Sequence, residues 1–423
     1  MKSYIRPLLL VFLSMLSAGL LLSFRNSRNE AGAMKAGFSR VLVTPAKPIR
    51  MSGYDARKDP FKGVHDDLYA GAVVFDNGQM RTCLITTDLI DFSHEYVDET
   101  KSKISQATGI PADHIFLTAV HNHDGPVTGS YENDLTADEK AYLSDLQTGL
   151  VQAVNEAIGK LQPVKIGVGK GVSKMNINRR ALQADGTIWL GRNPDGICDH
   201  EVGVIKIDDL SSHTIGLLIN WPCHATTGGQ DNYQVSGDWP GATERDLGKS
   251  FGGAVVMVSA GASGDINPIF GPGNDFGDME NIGKILSDEV IRVAAETKTF
   301  PVTDLAVINQ VITAKGKKTS ENHNPDVSLA PGKDVTIRVG AMKIGNIVLD
   351  GISGELMNEI GLDIKKDSPF TNTFVLSHCN GTSGYLCTDE AYKEGGYEPM
   401  VSQTMPGTAG LIREGFRKIN NGL

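Results

Sequence analysis

An α/β fold with mixed β-sheets flanked by helices is predicted by three features of this 423-residue chain. Short apolar, β-rich runs recur along most of its length, helical patterns fall between them, and 48 Gly with 18 Pro are spread without a period. In order, strand-like runs occupy Arg40 to Val43, Ala70 to Phe75, Thr82 to Thr86 and Ile115 to Val120, with helical patterns at Tyr96 to Gln106 and Ala137 to Leu161. Further strands are expected at Val164 to Val168, Val202 to Ile207, Ile215 to Asn220 and Ala254 to Ser259, then a helix from Met279 to Glu296. A polar loop, Lys315 to Asp334, is a candidate seam, although the segment beyond it is short for an independent core. In that segment, Val335 to Val339 and Ile347 to Leu349 flank a turn at Ile344-Gly345-Asn346, the pattern of a hairpin. Helices at Leu356 to Lys365 and Thr408 to Lys418 close the chain.

Composition narrows the function. Forty Lys plus Arg against 50 Asp plus Glu give a formal charge of −10, so no nucleic-acid partner is expected. With 40% hydrophobic and 21% charged residues, the chain has material for a packed core. Five Cys do not make a disulfide scaffold; Cys379 and Cys387 are close enough in sequence to pair in an oxidising compartment, and Cys83 and Cys223 read as buried thiols.

Residues 1–33 form a separate object, a signal peptide or signal anchor. Lys2 and Arg6 precede an apolar run of 17 residues, Leu8 to Phe24, and Ala31-Gly32-Ala33 offers a small-x-small cleavage site. The remainder, 34–423, is expected to be one catalytic domain, secreted or periplasmic. If the apolar run is retained it would hold the protein at a membrane surface.

The sharpest chemical feature is His121-Asn122-His123-Asp124-Gly125-Pro126 at the end of the run from Ile115 to Val120. Residues two apart on an extended strand face the same side, so the two imidazoles can share a site, either both on a metal or one on the metal and one acting on its water. A second run, Ile215 to Ile219, leads to His224, and a third, Ile347 to Leu349, leads to Glu355, where a carboxylate is expected to open a helix. Three strand ends thus offer the His, His and Glu of an open catalytic zinc site.

These residues lie within a longer series of motifs. Ser52-Gly53-Tyr54 with Gly63-Val64-His65, Gly109-Ile110-Pro111 before the histidine pair, Asn178-Arg179, Ser236-Gly237-Asp238, Ser353-Gly354-Glu355, and Gly384-Tyr385-Leu386-Cys387-Thr388 before Tyr397-Glu398 succeed one another in the chain. In this order they resemble the N-terminal catalytic domain of the neutral, non-lysosomal ceramidases. The resemblance implies a zinc ion, Zn2+, held by His121, His224, Glu355 and Tyr385, with His123, Arg179 and Tyr397 around the reacting carbonyl. It departs from the family at Ser263-Gly264-Asp265-Ile266-Asn267-Pro268, where Asn267 stands in place of a serine central to ceramide hydrolysis. The chain is expected to be a short form, without the family's immunoglobulin-like C-terminal domain.

The expected activity is therefore zinc-dependent hydrolysis of an amide (N-acyl) or ester bond by a metal-activated water, on a small-molecule or lipid N-acyl substrate. His123 is expected to shuttle a proton, Asn267 to donate to an oxyanion, and Asp238 either to orient a histidine or to cap the helix that begins at Trp239-Pro240. Asp88 and His65 are further site-facing candidates. Two alternatives are carried forward. One is an exported, non-catalytic ligand-binding homologue. The other is a serine hydrolase using Ser263 in Gly261-Ala262-Ser263-Gly264-Asp265, which approaches a nucleophile elbow but has Asp265 in the last glycine position.

Overall fold

A computed structural model describes residues 32–132, 134–319 and 328–423. The N-terminal apolar run and the middle of the Lys315 loop lie outside these residues. Among those described, no helix is long and apolar enough to cross a membrane.

The centre is an eight-stranded mixed sheet. Across it run β12 (Val255–Ala260), β10 (Thr214–Trp221), β9 (Glu201–Asp209), β6 (Gln162–Val172), β1 (Lys35–Leu42), β3 (Tyr69–Asp76), β4 (Arg81–Thr87) and β5 (Ile115–Ala119). The pairs β4 with β5 and β10 with β12 are parallel, and the other pairs are antiparallel. Alternation along each strand sorts side chains to two faces. On β4, Cys83 and Ile85 point to one core while Leu84 points to another; on β10, Leu217 and Ile219 oppose Leu218 in the same way.

One face is covered by helices. α1 (His94–Thr108) and α2 (Ala137–Gly159) pack on the β3 to β5 side, and α3 (Asp238–Ser250) with α4 (Phe276–Glu296) on the β9 to β12 side. The opposite face packs on a four-stranded sheet, β14 (Leu305–Ala314), β15 (Val335–Ile344), β16 (Ile347–Ile352) and β18 (Asn372–Leu376). The outer face of that second sheet is closed by α5 (Asn358–Asp367) and α8 (Thr408–Gly422), with the short α6 (Asp389–Glu394) and α7 (Tyr397–Val401) beside them. The result is helices, sheet, sheet, helices.

Helix ends reflect local chemistry. The Ser93 side chain accepts from the Tyr96 N–H to start α1, and Gly109, at φ 74°, ends it in the left-handed conformation. Thr136 and Glu139 form a reciprocal capping box at α2. The hairpin expected around residue 345 is present, with Ile344 opposite Ile347 and Gly345 at φ 60°.

Three further expectations are corrected. The Lys315 loop is not a seam, because β14 and β15 on its two sides pair along their whole length, from Leu305 with Ile344 to Ala314 with Val335. Glu355 does not open a helix: it lies on the two-residue strand β17 (Glu355–Leu356), with the α5 cap at Met357 two residues later. Cys379 and Cys387 are free and buried, and they belong to different core clusters on the two sides of the second sheet. Cys83 and Cys223 are buried thiols as expected.

Candidate metal centre

The site assembles where the strands of both sheets end. Past β5, Asn122 bridges to Ala225 past β10, and the His123 N–H donates to the Ala225 carbonyl (3.0 Å), which draws the loops of His121 and His224 together. From the second sheet, β17 pairs in parallel with β19 (Tyr385–Leu386), so that Glu355 is the register partner of Tyr385. The remaining small sheets, β11 (Gln234–Val235) with β2 (Gly63–Val64) and β13 (Ile266–Pro268) with β7 (Asn176–Leu182) and β8 (Ile188–Asn193), frame the site; β7 supplies Arg179 and β13 supplies Asn267.

Three side chains converge at its base. The Nε2 atoms of His121 and His224 each lie 3.3 Å from Glu355 Oε2, and all three side chains are buried. Each imidazole is oriented from behind: His121 Nδ1 lies 3.0 Å from the Ile90 carbonyl and His224 Nδ1 2.7 Å from the Ser263 carbonyl. A carbonyl can only accept, so Nδ1 carries a proton in each ring and Nε2 faces the carboxylate. In the neutral rings Nε2 is the atom free to bind a cation. A tetrahedron with metal bonds of about 2.0 Å has edges of about 3.3 Å. The donor set and its spacing therefore fit a zinc ion.

The charges around the site are coupled: burial pushes His121 down, yet Glu355 more than offsets it and holds the imidazole above the ordinary histidine range. Burial pushes the Glu355 carboxyl up, yet His121 and His224 more than offset it and hold it well below the usual carboxylate range. Burial, then the Arg179 guanidinium, push His224 down to about 4, which keeps this imidazole neutral. Arg179 Nε donates to Glu398 Oε1 (2.8 Å), Nη2 to the Tyr385 hydroxyl (3.0 Å) and Nη1 to Asn267 Oδ1 (3.1 Å), and Nη1 also lies 3.2 Å from His224 Nε2. The Tyr397 ring stands edge-on to Tyr385 at 5.7 Å and 5.9 Å from the guanidinium carbon.

His123 is half-buried, and neither of its ring nitrogens, both out of reach of solvent, has a hydrogen-bond partner among the described residues. Burial, with His121 and His224 beside it, holds it well below the ordinary histidine range. Its ring lies against theirs, with centroids 4.8 Å from His121 and 5.7 Å from His224, and the three imidazoles together could also hold a metal ion. Gly53, at φ 96°, lets the preceding loop press on the imidazole: a Cβ there would stand 2.5 Å from His123 Nδ1.

Not every sequence candidate joins the site. The Asp238 carboxylate accepts from the backbone N–H groups of Thr227 (2.7 Å) and Gly228 (3.4 Å) and from that of Trp239; it fixes the loop after His224 without bonding an imidazole. Its neighbour Trp239 donates Nε1–H to the His224 carbonyl (2.9 Å). Asp88 accepts from the Tyr69 N–H (2.7 Å) beneath the sheet end, and His65 stacks on Phe276 at 3.8 Å, outside the cluster. Ser263 is fully buried and its hydroxyl has no partner among the described residues, hence no base; β12 leads into a loop and β13, not into the helix a nucleophile elbow requires. The serine-hydrolase alternative fails on both counts.

One histidine escapes the sequence reading. His378 stacks on His121 at 3.9 Å, with both ring nitrogens buried and unpartnered among the described residues. It comes directly after strand β18, as His121 comes after β5 and His224 after β10, so the same signal is present. Among the described residues, three of the five non-glycine residues at positive φ, His121, Asp238 and His378, lie in or against the site, a concentration of backbone strain typical of functional positions.

The comparisons with known proteins bear on the same region. Residues 35–274 match the family model "Neutral/alkaline non-lysosomal ceramidase, N-terminal". The chain is 26% identical over 213 residues to neutral ceramidase A of Dictyostelium discoideum, covering 47% of this chain and 29% of that protein. It is 24% identical over 235 residues to the neutral ceramidase of Mycobacterium tuberculosis (strain ATCC 25618 / H37Rv), covering 51% and 36%. The matched region thus spans about a third of the length of these curated relatives. Among solved structures, the neutral ceramidase from Pseudomonas aeruginosa superposes with a TM-score of 0.77 at 17% identity, over 92% of this chain and 74% of that one. A ceramidase structure described as complexed with C2 gives the same score and identity, over 92% and 75%. These likenesses confirm the mixed α/β fold.

Proposed function

Because the chain belongs to the neutral/alkaline non-lysosomal ceramidase family, we propose that residues 34–423 form a zinc-dependent hydrolase that cleaves an amide (N-acyl) bond. The observation that carries this is the pair of imidazole Nε2 atoms 3.3 Å from one Glu355 oxygen, with the Arg179 guanidinium against them. His121, His224, Glu355 and Tyr385 would hold the zinc. When bound, it supplies Lewis-acid chemistry, polarising a carbonyl and lowering the pKa of water from about 16 toward about 7.

The chain's own residues supply the rest. His123 is neutral, without a hydrogen-bond partner among the described residues, and borders the cleft, so it accepts the proton that water releases on attacking the carbonyl carbon. As the C–N bond breaks, His123 returns that proton to the leaving nitrogen; the products are a carboxylic acid and an amine. Arg179 is held in place by Glu398 and turns its Nη edge toward the position where negative charge develops on the carbonyl oxygen. Asn267 spends its oxygen on Arg179 and retains its N–H2 as a donor, which suits it to bind an oxyanion and not to act as a nucleophile. Tyr397 walls the carbonyl from the outer side. Export rests on the N-terminal sequence pattern.

Metal analysis with a turnover assay tests the proposal. Purified protein should hold one zinc and hydrolyse N-acyl substrates until chelated, and His121→Ala combined with His224→Ala should lose both. Full zinc content in the double variant would refute the ligand set. Zinc without turnover of any N-acyl substrate would leave the non-catalytic binding protein, for which the replacement of the family's serine by Asn267 is the favouring observation.

A further inference from the structure

Arg57 is a buried cation that no step of the proposed reaction uses. The residue is 3% exposed and its side chain is sealed from solvent. A guanidinium taken out of water is costly unless both its charge and its N–H groups are answered. The charge is answered by Asp124, equally buried, with Nη1 3.4 Å from its Oδ1. The N–H groups are answered by backbone. Nη1 donates to the Asn232 carbonyl (3.0 Å), and Nη2 donates to the carbonyls of both Ser52 and His123. Three segments far apart in the sequence are thus tied at one planar group, and one of them carries the histidine of the proton path.

The ties bear on the His123 imidazole. The bond to its own carbonyl fixes the backbone from which the ring projects. The Ser52 carbonyl belongs to the peptide that enters Gly53, where a Cβ would stand 2.5 Å from His123 Nδ1, so this loop is one wall of the ring's seat. Tyr54 is the next wall: its ring stands edge-on to His123 with centroids 5.2 Å apart, its hydroxyl donates to the Gly228 carbonyl (2.8 Å), and its own carbonyl accepts from the Arg57 N–H (3.0 Å). The His123 ring nitrogens have no hydrogen-bond partner among the described residues, so no bond to the ring itself sets its angle. Its orientation is left to the backbone and to these walls, and Arg57 holds both.

Resting on the hydrolase reading above, we infer that Arg57 is a positioning residue for His123, its planar fork setting the imidazole where it can take and return the proton. Lysine is the discriminating substitution, because an ammonium keeps the charge beside Asp124 and loses the fork. Arg57→Lys should hold zinc as the parent does and keep KM within about twofold, while kcat falls about 100-fold, the cost of a displacement of about 1 Å. Arg57→Ala should lose at least as much and recover part of its kcat, saturably, with added methylguanidinium and not with methylammonium. A role in folding alone would appear as lost protein or lost zinc, without that rescue. The carbon-bound proton at His123 Cε1, followed by NMR and assigned by its loss in His123→Gln, reads the ring without turnover. Its resonance should be single in the zinc-loaded parent and displaced or broadened in Arg57→Lys. An unmoved resonance, or the parent's kcat, in Arg57→Lys overturns the inference. A displaced resonance with no N-acyl turnover even in the parent would sink the hydrolase reading and leave the placement of His123 by Arg57 standing.

Discussion

Asp350 is a carboxylate in the middle of a buried strand, and its cost should be readable as a pH dependence of stability. On β16 it lies between Ala341 and Val375 of the neighbouring strands, fully buried, with Asn420 Nδ2 of α8 donating to its Oδ2 at 2.8 Å. Asp350 Oδ1 and Asn420 Oδ1 have no other partner among the described residues. A proton on Asp350 resolves both, because the acid can then donate to the amide oxygen while accepting from the amide nitrogen. Burial accordingly pushes the carboxyl up to about 7, against 3.8 when unperturbed. Below the unfolded value both states are protonated and the group contributes nothing. Between about pH 4 and 7 only the unfolded chain ionises, so stability falls as pH rises, and above the folded value the loss is complete. About three pH units at 1.36 kcal/mol each set the loss at up to about 4 kcal/mol. Asp350→Asn keeps the polar pair and removes the ionisation. Urea unfolding of both proteins with zinc saturating, at intervals from pH 4 to 8, isolates the difference because all other groups are shared. The variant should be level with or slightly below the parent at pH 4 and should gain on it up to pH 7. Parallel profiles would show that Asp350 is ionised in the folded protein and that the argument from burial is wrong.

Two substitutions probe the site itself. Gly53→Ala places a methyl group against His123 and forces a side chain into the left-handed region; displacement of the imidazole by about 1 Å should lower kcat about 100-fold while zinc content, read by metal analysis, stays full. Unchanged kcat would remove His123 from the proton path. Ser263→Ala should leave kcat/KM intact and a serine-directed phosphonate should label neither protein, whereas labelling of the parent at Ser263 would reinstate the nucleophile that burial excludes.

The range of each interaction decides whether the sequence reveals it. Strand and helix positions such as β4, β10 and α2 are legible because alternation, apolar periodicity and the Thr136 and Glu139 cap are local signals. The start of β1 is not, because Lys35 to Ser39 includes Gly37, whose fitness for a strand lies in its contact with the Ala157 carbonyl of a distant helix. β8 and β14 are missed for a related reason: their residues are mostly half-exposed or exposed, so alternation is weak, and pairing with β7 and β15 holds them.

The metal centre divides along the same line. His121 and His224 announce themselves because each directly succeeds an apolar strand run. Glu355 is found by the same logic, although the element it occupies is a two-residue strand. Tyr385 has no such signal; what places it is the β17 to β19 register, a pairing between segments 30 residues apart that only the folded chain, or a resemblance between whole sequences, discloses. His378 is the instructive omission. It carries the strand-end signal as plainly as the other two, and it is easily passed over because two histidines and a carboxylate already complete a ligand set. Its stacking on His121 means that the orientation of a proposed zinc ligand depends on more than the carbonyl behind it. A site built from strand ends gathers every strand that ends there, and so its full membership is set by the sheet topology before any single ligand's chemistry.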